Sequence, residues 1–199
     1  MVKDNRIVKG HFNSYKEGID LNFLQDYCLV YGKVLRFKRG EELEHAGKPA
    51  RWFAYVTKGS FKYMVHNQVQ DKDYITGFAF QNEFVADYPN CMYGRESEVS
   101  IVAGTTCEIY AINGEELCRL YDENPENLKT GMLVAEAIFT QTYTNALDHY
   151  RLDACGRYKR LIDRNPQILQ HVSLKDIASY LNITPQMLSR IRRRLTFTE

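Results

Sequence analysis

The sequence lacks any run of about 18 apolar residues, and its opening residues hold no hydrophobic signal core. A membrane span and a secretory leader are therefore not expected, and the protein is read as cytoplasmic. Cysteine is sparse and badly placed for chemistry. The five present, Cys28, Cys91, Cys107, Cys118 and Cys155, are odd in number, and no two have the close spacing of a zinc or redox motif. Reduced, mostly structural thiols are the expected state. Histidines at close spacing within strands, which a metal enzyme on a small β-barrel needs, are missing as well, since His45 and His66 stand alone. No serine or cysteine nucleophile motif occurs, and no internal repeat or low-complexity segment. These gaps point away from an enzyme, and no catalytic residue or metal ligand is assigned.

Neither charge dominates, but the net +1 hides an asymmetry. From Tyr150 onward there are ten Lys/Arg against four Asp/Glu, whereas the first 149 residues hold 16 against 21. A basic C-terminal quarter on an acidic remainder suggests a polyanion-binding module joined to something else. With 44% hydrophobic residues the chain can bury a real core.

That quarter carries the clearest pattern. Residues 172–198 read VSLKDIASYLNITPQMLSRIRRRLTFT, two short helical patterns separated by a three-residue break. Ser173 is a natural N-cap, and Leu174, Ile177, Ala178 and Leu181 recur at helical spacing as one apolar face. Asn182 stands where the chain must turn sharply, and asparagine tolerates the left-handed conformation. Thr184-Pro185 is a second N-cap followed by proline at the first helical position. Leu188, Ile191 and Leu195 then face the first helix, leaving Gln186, Ser189, Arg190, Arg193 and Thr196 pointing away. This is the layout of a helix-turn-helix whose second helix enters the DNA major groove. Arginine can bond both guanine acceptors and glutamine can pair with adenine, so Arg190 and Gln186 suit base reading. Arg192, Arg193 and Arg194, with Lys175 and Ser179, suit phosphate contacts, which fix register.

Upstream, residues 1–30 read as helical from Phe12, Tyr15, Ile19, Phe23, Tyr27 and Leu29. Short β-rich runs follow at Val34–Phe37, Trp52–Val56, Phe61–Val65, Tyr74–Phe80, Glu98–Val102 and Thr106–Ile112. Gly32, Gly40, Gly47-Lys48-Pro49 and Lys58-Gly59-Ser60 mark turns between them. The expectation is an antiparallel sandwich or roll. Helical character resumes after Asn113, with a short helix at Leu117 and Leu120. A long helix is expected over about 124–150, where Leu128, Met132, Ala135, Phe139, Thr142 and Ala146, then His149, form a coiled-coil-type seam that suits a dimer interface. A further helix, Cys155–Arg164, precedes the helix-turn-helix.

A β-roll, a long central helix and a C-terminal helix-turn-helix, in this order and length, resemble the Crp/Fnr family of bacterial transcription regulators. The resemblance covers nearly the whole chain and is carried most strongly by LKDIASYLNITPQMLSRIRRRL, which fits the family's winged-helix pattern. It implies an α+β fold: an N-terminal jelly-roll-like β-roll related to cyclic nucleotide-binding domains, a dimerisation helix and a winged helix-turn-helix. The expected division is 1–149 for the effector domain, including the long helix, and 150–199 for the DNA-binding domain. It further implies a homodimer on double-stranded DNA with a palindromic site, with RNA polymerase as a possible further partner and no membrane. By resemblance Gln186, Ser189 and Arg190 match base-reading positions, and Ser173 and Thr184 join the backbone-contacting set. Pro185 departs from relatives that place a base-reading polar side chain there, so no relative's operator is carried over.

Relatives that bind cyclic nucleotide use a Gly-Glu pair for the ribose and, about ten residues later, an arginine beside Ser or Thr for the phosphate. Here the matching segments are Asn82–Asp87 and Gly94–Glu98. Ala86-Asp87 replaces Gly-Glu, Ser97 holds the arginine position, and Arg95 is displaced by two residues. Phe84, Ala86, Asp87, Tyr88, Arg95 and Ser97 form the candidate effector pocket. Glu96 and Glu98 disfavour a phosphate there, so cyclic AMP is not the expected ligand and no cofactor is assigned. A different small ligand, a redox signal at one thiol such as Cys91, or no effector remain open. An iron–sulfur route is disfavoured by the absence of cysteine before Cys28, and haem would need an axial ligand. The competing reading keeps the ligand-binding module but gives the helix-turn-helix to protein contacts.

Overall fold

The computed structural model describes residues 11–196. Two compact units divide the chain: Ile19–Ala135 forms one, and the segment before Ile19 together with the chain after Ala135 forms the other.

The first unit opens with helix α1, Asn22–Tyr31, and continues as eight strands. These are β1 Lys33–Phe37, β2 Glu42–Glu44, β3 Trp52–Lys58, β4 Ser60–Asn67, β5 Lys72–Phe80, β6 Phe84–Val85, β7 Ser100–Ala103 and β8 Cys107–Asn113. They make two antiparallel four-stranded sheets, ordered β1-β8-β3-β6 and β2-β7-β4-β5. Alternation explains which residues turn inward, as successive side chains point to opposite faces. Cys107, Ile109 and Ala111 of β8 and Ile101 and Ala103 of β7 are buried at every second position. They close on Ala54, Val56, Phe61, Ala79 and Val85 as a single core. Gly59 joins β3 to β4 at φ +89°, and a Cβ there would fall 2.5 Å from the Thr106 carbonyl oxygen, so this turn admits only glycine. The unit continues with α2, Gly114–Asp122, whose N-cap Asn113 forms a reciprocal capping box with Glu116.

Helix α3, Pro125–Arg151, passes from the first unit into the second. The second unit adds α4 Ala154–Arg164, α5 Ile168–His171, α6 Leu174–Tyr180 and α7 Pro185–Thr196. Its core is Tyr158, Leu161, Ile168, Ile177, Ala178, Leu181, Leu188 and Ile191. A polar seam ties the end of α3 to this core. Arg160 donates to both carboxylate oxygens of buried Asp148, at 2.7 and 2.8 Å. Nearby, Arg164 and Asn145 both donate to the Tyr180 hydroxyl at 3.2 Å, and the Arg164 guanidinium lies over the Phe12 ring.

The α+β architecture agrees with the sequence reading, with four differences. The helix expected over 1–30 reduces to a short 3₁₀ turn, Ser14–Lys16, and α1, because Gly18 at φ +75° breaks the run; residues 1–10 lie outside the described ones. The strand expected from Glu98 begins at Ser100, because Ser97 pairs with the Lys48 loop and the Glu98 amide turns to a side chain. Strands β2 and β6 are two or three residues long, too short for periodicity to reveal. No strand follows β8 among the described residues, so the helix-turn-helix is seen without a wing; Ile191 and Leu195 extend the apolar face of α7, which stays helical to Thr196.

Replacing Asp148 removes the carboxylate but leaves the Arg160 head 41% exposed to water, which limits the cost. Asp148→Ala is expected to destabilise the protein by about 1.5–3 kcal/mol, the range for hydrogen bonds to a charged group. A lowered urea midpoint at unchanged slope checks this, and an unchanged midpoint would show the pair to be dispensable.

Candidate nucleic-acid interface and effector pocket

The helix-turn-helix is set by its ends. Ser173 accepts the Asp176 amide at 3.1 Å, so α6 starts where its cap predicts. The helix closes in a Schellman motif. Asn182 takes φ +53°, its amide donates to the Ser179 carbonyl, and the Ile183 amide donates to the Ala178 carbonyl, both at 3.0 Å. Two residues later Thr184 accepts the Met187 amide at 3.1 Å and Pro185 opens α7. Ile177, Ala178 and Leu181 of the first pattern are buried against Leu188 and Ile191 of the second. Leu174 departs from that face: as the first residue of α6 it is 42% exposed and takes no part in the core.

With those residues buried, the outward face of α7 carries Gln186, Met187, Ser189, Arg190, Arg193 and Arg194, all exposed, while Arg192 is half-buried. Gln186 and Arg190 line one cavity of about 510 Å³ together with Thr184, Met187, Arg194 and Cys155. The Arg190 side chain makes no hydrogen bond or ion pair among the described residues, so its five N–H donors stay available. Ser173 and Lys175 are exposed at the start of α6, and Ser179 is half-buried at its end. The Ser173 and Thr184 oxygens already cap helices, but each hydroxyl keeps its proton to donate. Sequence reasoning missed Met187 and Cys155. Met187 was legible as an apolar side chain in the first turn of α7, on the outward side; Cys155 comes from α4, thirty residues away, and no local pattern marks it.

Along α3 the expected seam is uncovered over its whole length. Leu128 (49%), Met132 (66%) and Phe139 (67%) are large apolar side chains open to water, and Ala135, Thr142, Ala146 and His149 are exposed with them. Phe139 stacks on Tyr143, itself 56% exposed. The buried positions lie elsewhere on the helix, at Gly131, Val134 and Asp148.

In the β-roll, Phe84 is buried between the rings of Phe53 and Tyr55. The Ala86 amide donates to the Tyr63 hydroxyl at 3.3 Å. One oxygen of Asp87 lies 2.7 Å from the Ser97 hydroxyl and accepts the Glu98 backbone amide at 3.0 Å and the Asn90 side-chain amide at 3.2 Å. Ser97 is buried. Tyr88 is half-buried, and burial raises its phenol above the usual range. Arg95 is separated from this group: it is exposed, and its guanidinium lies over the Tyr93 ring, 5.0 Å from the centroid. Close by, buried Glu44 accepts the Arg51 and Trp52 amides, both at 2.8 Å. Burial, opposed by those two bonds and reinforced by Asp87, raises its carboxyl above the ordinary range. Among the described residues no group of three or more His, Cys, Asp or Glu side chains could hold a metal, and no helix is long and apolar enough to cross a membrane.

Cys91, the thiol considered for redox sensing, is 3% exposed, and burial together with Asp87 and Glu44 pushes it up to about 12. It is a packed thiol and does not suit the role of an exposed sensor. The short helical turn Asn90–Tyr93 folds it inward.

Residues 34–124 match the family model of the cyclic nucleotide-binding domain. Among solved structures, the chain is similar to FixK2 from Bradyrhizobium japonicum, at 15% identity over 85% of this chain and 86% of that one, with a TM-score of 0.74. It is similar to a CooA mutant from Carboxydothermus hydrogenoformans, at 12% identity over 97% and 88%, TM-score 0.70. It is also similar to CLP of Xanthomonas campestris, described as a global regulator responsive to c-di-GMP, at 20% identity over 90% and 93%, TM-score 0.63. No curated protein matches the chain by sequence. The chain thus pairs a match to the cyclic nucleotide-binding domain with the fold of Crp/Fnr-type regulators. A cyclic nucleotide, the ligand which that domain implies, does not fit the residues present. The donors that could hold its phosphate are engaged by Asp87, and Arg95, the arginine of the same segment, stacks on an exposed ring.

A thiol held up at about 12 stays protonated through neutral pH, and the thiolate is the nucleophile. Cys91 is therefore expected to resist iodoacetamide in the native protein at pH 8 and to react once unfolded. Mass mapping of the modified peptides checks this, and rapid native labelling would contradict the buried placement.

Proposed function

We propose that the protein is a homodimeric, sequence-specific DNA-binding transcription regulator of the Crp/Fnr type. The observation that carries this reading is the outward face of α7, where Gln186 and Arg190 share one open cavity on a complete helix-turn-helix. Regulators with the same fold support it, and so does their not being enzymes. Residues 1–149 act as the effector domain with its dimer helix, and 150–199 read DNA. Gln186, Ser189 and Arg190 read bases. Ser173, Lys175, Ser179, Thr184, Arg192, Arg193 and Arg194 hold phosphates. Leu128, Met132, Ala135, Phe139, Thr142 and Ala146 meet their counterparts in a second copy. Two recognition helices about 34 Å apart then read a palindrome, and a shift of population through α3 changes their spacing. The regulator acts in the cytoplasm, with RNA polymerase as its further contact.

The test is selection of bound fragments from the source genome by wild type and Arg190→Ala in parallel. The wild type is expected to recover a shared palindrome, and Arg190→Ala to lose specific binding by about 1–3 kcal/mol per half-site. Arg194→Ala should instead weaken all sequences alike and flatten the salt dependence. Binding that is indifferent to sequence and to Arg190 would favour a helix-turn-helix turned over to protein contacts.

The seam is tested separately. Introducing a charge at Met132 or Phe139, as in Met132→Glu, is expected to turn the dimer into monomer in sedimentation velocity while leaving the β-roll folded. A wild-type monomer at micromolar concentration would remove the dimer from the proposal.

A further inference from the structure

We infer that the β-roll carries its own anion: the Asp87 carboxylate fills the seat where a ligand phosphate would lie, and the domain takes no cyclic nucleotide until that carboxylate is removed. The inference is independent of the DNA-binding reading. Three donors converge on one Asp87 oxygen, namely the Ser97 hydroxyl at 2.7 Å, the Glu98 backbone amide at 3.0 Å and the Asn90 side-chain amide at 3.2 Å. A hydroxyl and a main-chain N–H aimed at a single charged oxygen are the elements of an anion site. Ser97 is 2% exposed, so its hydroxyl has no water to turn to; the other acceptor in reach is the Val99 carbonyl, at 2.8 Å. Two of the donors, Ser97 and Glu98, come from the Gly94–Glu98 segment, Asn90 comes from the turn between, and the acceptor comes from Ala86-Asp87, about ten residues before Ser97. The carboxylate that would hold a ribose thus reaches across and takes the phosphate's place.

The surroundings reinforce the exclusion. Glu44 and Glu83 are buried acids in the same unit, and Asp87 acts on Glu44 through space. A phosphate brought to these donors would displace Asp87 and leave its charge within a few ångströms of the new one, in a medium where like charges repel strongly. The one cation in the segment, Arg95, is spent on the exposed Tyr93 ring. Arg95 therefore does not reach the donors, and the internal carboxylate satisfies them instead.

The experiment is calorimetric titration of the full chain with cyclic AMP and with cyclic GMP, for wild type, Asp87→Ala and Asp87→Asn. Thermal melts with and without inorganic phosphate run beside it. Wild type is expected to bind neither nucleotide and to show no phosphate shift. Asp87→Ala should gain affinity for nucleotide by at least about tenfold over the wild-type limit, and its melting temperature should rise with phosphate. Asp87→Asn, which drops the charge and keeps the side chain's size, should gain in the same direction; it decides the matter if Asp87→Ala fails to fold. Nucleotide binding by wild type that Asp87→Ala abolishes would overturn the inference and make Asp87 a ligand-holding residue. A folded variant that gains neither nucleotide nor phosphate would also overturn it, since no anion seat would then lie beneath the carboxylate.

Discussion

A carboxylate buried in the side of α3 has one charged partner among the described residues, and the polar seam of the helical unit is built beside that pair. Asp148 presents both oxygens to one nitrogen of Arg160, and Asn145, Arg164 and Tyr180 continue the polar seam alongside. A buried charge without a partner is costly, and a well-packed apolar pair would often be at least as stable. What a paired charge adds is register: it bonds well in one position of α3 against α4 and α6, whereas methyl groups tolerate several. The seam has a second effect, on the distribution of apolar surface. At its C-terminal end α3 spends its inward positions on polar residues, while Phe139 and Tyr143 face water. That is the reverse of an ordinary surface helix. Large apolar side chains in a row on the open face are the kind of surface that marks an interaction site, and the proposed pairing with a second copy of the same helix rests on it.

The helix-turn-helix was legible because each of its determinants is local. Ser173, Asn182, Thr184 and Pro185 act on backbone groups within five residues, so their types alone fix where α6 stops and α7 starts. Burial of Ile177, Leu181, Leu188 and Ile191 follows from the 3.6-residue period once those ends are placed. The long strands were legible from alternation and from turn glycines, Gly59 above all. Strands β2 and β6 were not, since three residues or fewer carry no period. The pocket was the least legible part. Which atom Asp87 bonds depends on how two loops meet, and the residue types left a different small ligand, a redox signal or no effector open. Cys91 shows the same limit from the other side: its segment looked open in sequence, and the fold turns the thiol inward.

On the proposed reading, these two features together constrain how a signal could reach the DNA. In a domain that waits for a phosphate, ligand binding supplies the missing charge and brings the loops together. Here the loops are already joined by Asp87, through bonds to Ser97, Glu98 and Asn90, with no ligand involved. On that inference a cyclic nucleotide has no gap to close between these loops. A signal must therefore act by breaking an existing contact, or by binding at a surface away from that seat. A ligand shifts a two-state equilibrium only through a difference in affinity between the states. The seat offers no such difference to an anion, because Asp87 competes for it at the effective concentration of a tethered group. The helix that would carry the change is fixed at its far end by Asp148 and Arg160, so α3 can transmit a rotation only by moving α4 and the recognition helix with it. On the proposed reading, the same ion pair that sets the register couples the DNA-reading face to α3.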